Sequence, residues 1–464
     1  MEKDRADQFS QLDLVPPGTI VEVDCVDLDV NGNGISKWNN LVLTTPNLLP
    51  EEKALVSIQY KRGSTFHAYL LKIIQHSPNR IEPECSVYNQ CGGCSIQHLH
   101  YTRQISSKLN IISNQFSRLF GIDVDVEYLW ESNHLEFNYR NRTCMPVLRT
   151  EDNRLITGYY MKNSHTIVDI NTCPVLDARI SSLIRPIKLL VENTSLDADS
   201  NMSRKDVLRH ICLRRSSKTG EIHVSFVCSS RKCLKEISRV SHKLMNNYTD
   251  ISGITMNLQD KKNNTIFGLE SISVCGRDYI NEEFCGYNLK IPPTSFFQIN
   301  HIAAETTVKQ IVRWLVRKAS VKHVIDAYCG IGTISLPLSQ YFHVTGIEVN
   351  EDSINIAKEN SSLNNKNNVE FYTGNVRNLL YDLLSPSMGL VLDPPRKGID
   401  SEVVDIIKDK KPRLIAYLSC NSGTMARDVS KLIDNQLYKI EKVFACDFFP
   451  QTMHLECLTF LTLN

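Results

Sequence analysis

From Ile299 to the end of the chain, short apolar runs alternate with amphipathic ones, and this alternation restricts the fold more than any other feature. Strands are expected at residues 323–327, 343–347, 369–372, 389–392 and 414–418, with helices between them, notably 353–364. Successive strands joined by helical crossovers form a parallel, doubly wound α/β sheet of the Rossmann-like kind. Ligands of such sheets bind beyond the carboxyl ends of the strands, so the residues that follow each strand are the ones to read for chemistry.

The first of these strands runs into Asp326-Ala-Tyr-Cys-Gly-Ile-Gly-Thr333, where glycines let the backbone turn sharply and approach a ligand. The motif is not a GxGxxG dinucleotide fingerprint. The next strand ends in Gly346-Ile-Glu-Val-Asn350, and Glu348 stands where an acid accepts hydrogen bonds from both ribose hydroxyls of a nucleoside cofactor. Later strands end in Phe371-Tyr-Thr-Gly-Asn375 and Leu392-Asp-Pro-Pro-Arg-Lys-Gly398. An Asp-Pro-Pro at a strand end is rigid, because each proline fixes φ and removes a donor, and it is typical of methyltransferases acting on nucleobases. Asp393 is positioned to contact either the cofactor or the base.

The last parallel strand ends in Ser419-Cys-Asn421, which brings Cys420 to the same edge as Asp393. A thiol has a use there. C5 of uracil is a weak nucleophile, and a thiolate adding to C6 makes C5 an enolate-type carbon able to attack a methyl sulfonium. The C5 proton must then leave to a general base, and Glu456, in His454-Leu-Glu-Cys457 on the expected final hairpin, is the candidate.

The rest of the chain divides further, as a length of 464 residues requires. Residues 9–77 alternate apolar and polar positions in short runs with Asn31-Gly-Asn-Gly34 between them, which predicts a small OB-like β-barrel. A helical stretch is expected near 97–125, set to pack on the catalytic domain. The segment 78–290 mixes strand-like and helical patterns as an α+β domain, and 291–464 is the catalytic domain. The charged N-terminus and the lack of a long apolar run predict a soluble, cytoplasmic protein without a membrane span, with a monomer as the default. Net charge is +1, from 52 basic and 51 acidic residues, so any polyanion binding needs a local basic patch. The segment 203–218, with Arg204, Lys205, Arg209, Arg214, Arg215 and Lys218, is the candidate for phosphate contacts. Among 15 cysteines, Cys85, Cys91 and Cys94 form a CxxxxxCxxC loop, with Cys173-Pro as the best fourth ligand. Four thiolates suit zinc or an iron–sulfur cluster, and the uneven three-plus-one spacing favours [4Fe-4S].

Asp393-Pro-Pro-Arg-Lys-Gly398, Ser419-Cys-Asn421 and His454-Leu-Glu456, in this order, resemble the S-adenosylmethionine-dependent RNA uracil-5-methyltransferase family, and the resemblance extends over nearly the whole chain. The first segment is similar to the TRAM domain, an RNA-binding module. The resemblance implies that Cys420 is the nucleophile and Glu456 the base. It further implies that Gln298, in Pro293-Thr-Ser-Phe-Phe-Gln-Ile-Asn300, contacts S-adenosylmethionine together with Tyr328, Thr333, Glu348, Asn375 and Asp393. Thr333 stands where family members often have Asn. Ribosomal RNA members carry a [4Fe-4S] cluster on this cysteine spacing, which implies Cys85, Cys91, Cys94 and Cys173 as its ligands. A TRAM-like domain with a cluster resembles the bacterial enzymes acting on uridine 1939 of 23S rRNA, with the T-loop uridine 54 of tRNA as the alternative. A radical methylthiotransferase would need CxxxCxxC, an N-methyltransferase would leave Cys420 and Glu456 without a role, and a non-catalytic RNA-binding assembly factor would need neither.

Overall fold

The computed structural model describes residues 15–129 and 134–464, so the first six residues of the expected N-terminal domain, 9–14, lie outside it. The chain forms two compact units. One holds the N-terminal part to Tyr88, Cys94–Ile111 and Phe449–His454; the other holds Asn89–Gly93, Ile112–Phe448 and Leu455–Asn464.

In the first unit β1 (Ile20–Leu28), β2 (Gly34–Trp38), β3 (Leu41–Thr45), β4 (Lys53–Arg62) and β5 (Thr65–Gln75) close into a barrel of order β1-β2-β3-β5-β4. The period-two pattern of the sequence becomes its inside and outside: Val21, Val23 and Cys25 turn into a core with Leu43, Val56, Ile58 and Phe66. Glu52 is 1% exposed. Its charge is met by Arg80 through Nε (2.6 Å) and Nη2 (2.8 Å) and by the Leu49 amide (2.8 Å). Gln104, on helix α1 (Tyr101–Phe120), donates to Gln451 Oε1 at 2.9 Å, and the Gln451 carbonyl accepts the Ser95 and Ile96 amides.

The second unit contains two large sheets. β6 (Val126–Tyr128) precedes the first of them in the chain and belongs to the second; the first begins with β7 (Arg142–Arg149), β8 (Leu155–Tyr160) and β9 (Ile167–Asp169). Helix α2 (Ala178–Glu192) starts on the Asp177 side chain, which accepts two of its first amides. After it come β10 (Leu208–Arg215), β11 (Ile222–Cys228), α3 (Leu234–Asn247), β12 (Ile251–Leu258) and β13 (Glu270–Gly276). These strands make a seven-stranded sheet of order β13-β12-β11-β10-β7-β8-β9. A hairpin follows, β14 (Ile280–Phe284) with β15 (Tyr287–Ile291), and a loop leads into α4 (His301–Lys318).

The eight-stranded sheet has the order β18-β17-β16-β19-β20-β22-β21-β6. Here β16 is His323–Ala327, β17 His343–Glu348, β18 Val369–Thr373, β19 Gly389–Leu392 and β20 Leu414–Ser419; β21 (Tyr438–Cys446) and β22 (Glu456–Leu463) form the last hairpin. Strands β16 to β20 are parallel, as the alternation requires, with α5 (Glu351–Leu363), α6 (Val376–Leu383) and α7 (Ser401–Lys410) as crossovers, and α8 (Ser422–Leu432) leads from β20 to β21. The chain leaves β16 toward β17 on one side and later returns to β19 on the other. The crevice at their carboxyl ends is therefore the switch point. One strand departs from the sequence expectation. Val126–Tyr128, assigned above to the central segment, pairs with β21 at the edge of the catalytic sheet. Among the described residues no helix is long and apolar enough to cross a membrane.

Candidate functional site

At the switch point the backbone turns immediately after β16. Tyr328 adopts φ +70°, a left-handed conformation that a tyrosine reaches only under constraint, and its amide donates to the Ile347 carbonyl at 2.8 Å. Gly330 (φ +54°) and Gly332 (φ +88°) continue the turn. Glu348, at the end of β17, accepts the Gly330 amide at 3.3 Å and the Asn350 amide at 2.9 Å. The acid and the glycine turn are thus one structure, with the half-buried carboxylate at the crevice. Thr333 is half-buried at the end of the turn. Asn375, after β18, is exposed and caps α6 by accepting the Arg377 amide at 3.1 Å.

Asp393 follows β19, and its amide donates to Ala327 O at 3.4 Å, which draws the Asp-Pro-Pro segment against the end of β16. Burial, and then the charge of Asp326, push its carboxyl up to about 7. Asp326 is itself pushed up to about 7, chiefly by burial and against the Ser335 hydroxyl, which donates to it at 2.5 Å. Gln298 is half-buried in the loop before α4.

Cys420 and Glu456 meet through strand register. In the antiparallel pair β20–β22, Ser419 lies opposite Cys457, so one further step sets Cys420 opposite Glu456. Opposed Cβ atoms in such a pair are about 5 Å apart. Cys420 is half-buried and Glu456 is 5% exposed. Burial, and then the charge of Glu456, raise the thiol above its ordinary range; Arg396 acts in the opposite sense and Asp393 adds to the rise. Burial likewise pushes Glu456 well above the carboxylate range, with Asp393 adding and Arg396 opposing. The thiol and two acids therefore share a recess at the sheet edge, with the exposed Arg396 guanidinium acting on them by its charge. Acids in such a recess hold protons that water would strip, and the guanidinium favours the anionic forms of thiol and acid.

Two supports of this group escaped the sequence reading. Asn421 Oδ1 caps α8 by accepting the Gly423 (3.0 Å) and Thr424 (3.3 Å) amides, and its Nδ2 donates to Arg396 O at 3.3 Å. An Asn immediately before a helix was the available signal. Buried Asp428 accepts the Tyr417 hydroxyl at 2.8 Å and the Ile399 amide at 3.0 Å, and pairs with Arg427. No local pattern announces it.

The basic segment 203–218 is only partly open: Arg204, Lys205 and Lys218 are exposed, while its other cations are turned inward. Arg209 is buried and donates to the carbonyls of Gln259 (2.9 Å) and Lys261 (3.1 Å). Arg204 pairs with Asp197 at 2.8 Å and Arg215 with Asp177 at 2.8 Å, while Arg214 is buried. Lys205 and Lys218 are exposed.

Cys85, Cys91, Cys94 and Cys173 are all half-buried. The Cys91-Gly-Gly turn lies along the end of β8, with the Gly92 amide donating to Tyr160 O at 2.9 Å; a Cβ on Gly92 would meet that oxygen at 2.8 Å. The Tyr159 phenol, pushed up chiefly by burial, also feels Cys173 and Cys91. Tyr88, pushed up by burial, feels Cys94. The donors are of the right chemistry for iron or zinc. Among the described residues, however, no group of three His, Cys, Asp or Glu side chains converges at metal-binding range.

A sequence model of the tRNA (uracil-5-)-methyltransferase family matches residues 100–378 and 382–464. A protein of Parasynechococcus marenigrum described as an uncharacterized RNA methyltransferase is 40% identical over 449 residues, 96% of each chain. A second with that description, from Listeria innocua, is 32% identical over 456 residues, 97% of this chain and 99% of that one. Among solved structures, the tRNA (uracil-54, C5)-methyltransferase of Pyrococcus abyssi in complex with S-adenosyl-L-homocysteine is similar with a TM-score of 0.73 and 26% identity, covering 95% of this chain and all of that one.

Proposed function

The chain belongs to the tRNA (uracil-5-)-methyltransferase family, and from that premise we propose that it transfers a methyl group from S-adenosylmethionine to C5 of a uridine in RNA. The observation that carries this reading is the Cys420–Glu456 opposition across β20 and β22, with Asp393 and Arg396 facing both side chains. The Cys420 thiolate adds to C6 of the uracil, and the electron pair at C5 takes the methyl. Glu456 then removes the C5 proton, the C5–C6 double bond re-forms and the thiolate leaves. The cofactor supplies an electrophilic methyl sulfonium. Gln298, Tyr328, Thr333, Glu348, Asn375 and Asp393 would hold it, Glu348 by accepting from its ribose. Because Cys420 is recessed, the target base must leave its stack to reach it. RNA carrying 5-fluorouridine tests this: the C5 fluorine cannot leave as a proton, so the wild type should be trapped as a protein–RNA adduct and Cys420→Ser should not. An adduct formed equally by Cys420→Ser overturns the assignment.

The target is read as 23S rRNA, at a uridine of the 1939 type, from the TRAM-like segment and the cysteine spacing. The likeness to a tRNA (uracil-54, C5)-methyltransferase favours the tRNA T-loop as the second reading. Mapping the 5-methyluridine lost from each RNA when the gene is deleted decides between them. We also propose that Cys85, Cys91, Cys94 and Cys173 hold a [4Fe-4S] cluster with a structural role, supported by the thiol donor set and its spacing.

A further inference from the structure

We infer that Arg142 and Arg214 are positioning residues that hold the loop 292–298 in the shape that presents Gln298 to the cofactor. The inference rests on the proposed cofactor role of Gln298.

The two arginines lie opposite each other on β7 and β10. The ladder hydrogen bond falls one residue away, from the Arg215 amide to Asn141 O (2.9 Å), so the Arg142–Arg214 position is the narrow, non-hydrogen-bonded kind where side chains crowd. Two like charges sit there, and among the described residues neither is ion-paired with a carboxylate. Arg214 is 4% exposed, and burial, then Arg142, drive its pKa well down. Burying a guanidinium without a direct ion pair is costly even with the more distant Glu282 and the Cys144 and Cys212 thiols favouring it, and apolar residues would fill the same volume more cheaply.

Arg142 lies over the Phe267 ring at 5.5 Å, and the carbonyls that both arginines reach belong to one loop. Arg214 donates to Ser295 O at 2.6 Å and to Pro292 O at 3.4 Å; Arg142 donates to the same Ser295 oxygen at 3.3 Å and to Pro293 O at 3.1 Å. Neighbouring Asn141 donates through Nδ2 to Gln298 O at 3.1 Å and through its amide to Ile299 O at 2.9 Å. Pro292 and Pro293 have no amide hydrogens, so this stretch cannot build a ladder of its own, and its carbonyls need donors from outside. Phe297 fixes the loop from the other side, buried edge-on against Phe284 at 5.5 Å. Between these anchors Phe296 is 69% exposed and Gln298 half-buried. A forked guanidinium reaches two carbonyls from two nitrogens held in one rigid plane, a geometry that the single nitrogen of a lysine does not reproduce.

The test uses the full chain with Arg142→Lys, Arg214→Lys and Gln298→Ala, singly and combined, reading S-adenosylhomocysteine affinity by calorimetry without RNA and amide exchange at residues 295–299. Each lysine variant should speed exchange in the loop and weaken binding about tenfold, the scale of a lost hydrogen bond to a charged group. In the Gln298→Ala background the same change should weaken binding no further, because the effect passes through that side chain. Unchanged exchange overturns the clamp. Faster exchange with undiminished affinity, or an equal loss in the Gln298→Ala background, overturns its positioning role, and a lowered Tm alone marks a merely structural one. Full affinity in Gln298→Ala itself would overturn the cofactor role of Gln298 and not the clamp, which the exchange rates judge on their own.

Discussion

At the scale of single residues, the site sets thiol and acid against their ordinary ionisation. In the proposed reaction Cys420 would have to be a thiolate to add and Glu456 a carboxylate to take a proton, yet burial raises both, and each further carboxylate raises them more. Arg396 alone among the named causes favours both anions beyond local hydrogen bonding. Adduct formation should therefore rise with pH through neutrality into the alkaline range, and Arg396→Gln should shift that rise to higher pH; a profile unmoved by the substitution would remove Arg396 from the electrostatics of the site. Glu456→Gln should let methylation proceed but stall release, so that adducts accumulate on ordinary uridine RNA. The same variant has a stability signature. An acid whose folded pKa lies above its unfolded value, about 4.3, contributes stability that is present at low pH and lost as pH rises toward the folded value. Thermal melts should thus show Glu456→Gln more stable than wild type at pH 8 and equal to it at pH 4.

At the scale of elements, the proposed nucleophile depends on the turn between β20 and α8 and on the loop after β19. Asn421 joins them, capping the helix and donating to Arg396 O. Asn421→Ala should cost about 1 kcal/mol in unfolding free energy, the usual worth of an N-cap, and slow adduct formation by more than the fraction unfolded explains. Gly398 is the stricter position: φ is +79°, and a Cβ would stand 2.4 Å from Asp428 Oδ2. Gly398→Ala should destabilise by about 1–3 kcal/mol, measured by chemical denaturation, because it strains the turn and pushes on the buried carboxylate that anchors Tyr417. Much at this scale was readable from sequence. The parallel strands are continuous apolar runs bounded by turns, and their ends carried the polar motifs, so strand limits were legible within about two residues. What was not readable has physical causes. Val126–Tyr128 is three residues long and acquires strand structure only by pairing with β21, more than 300 residues away in sequence. The arginines of 203–218 looked like a solvated patch because charge counting cannot see that their partners are backbone carbonyls and acids of distant segments.

At the scale of the whole molecule, the cysteine loop carries the proposed metal site, and its four thiols come from distant parts of the sequence. Cys91 and Cys173 both act on the Tyr159 phenol, yet no three metal-binding side chains converge among the described residues. Thiolates at close range repel unless a cation lies between them, so the energy of closing such a cage must come from the metal, as it does in small metal-dependent domains. That makes the ligand set testable independently of methyl transfer. Protein purified without oxygen should be brown, with about four iron and four sulfide per chain. Cys91→Ser and Cys173→Ser should each lose most of the iron and lower the Tm. Tyr159→Phe should keep the iron, since the phenol borders the cysteines without being a donor of the expected set. A colourless preparation with one zinc per chain would replace iron with zinc at the same four residues. Full metal content in Cys173→Ser would instead show that the three cysteines of the loop recruit their fourth ligand elsewhere.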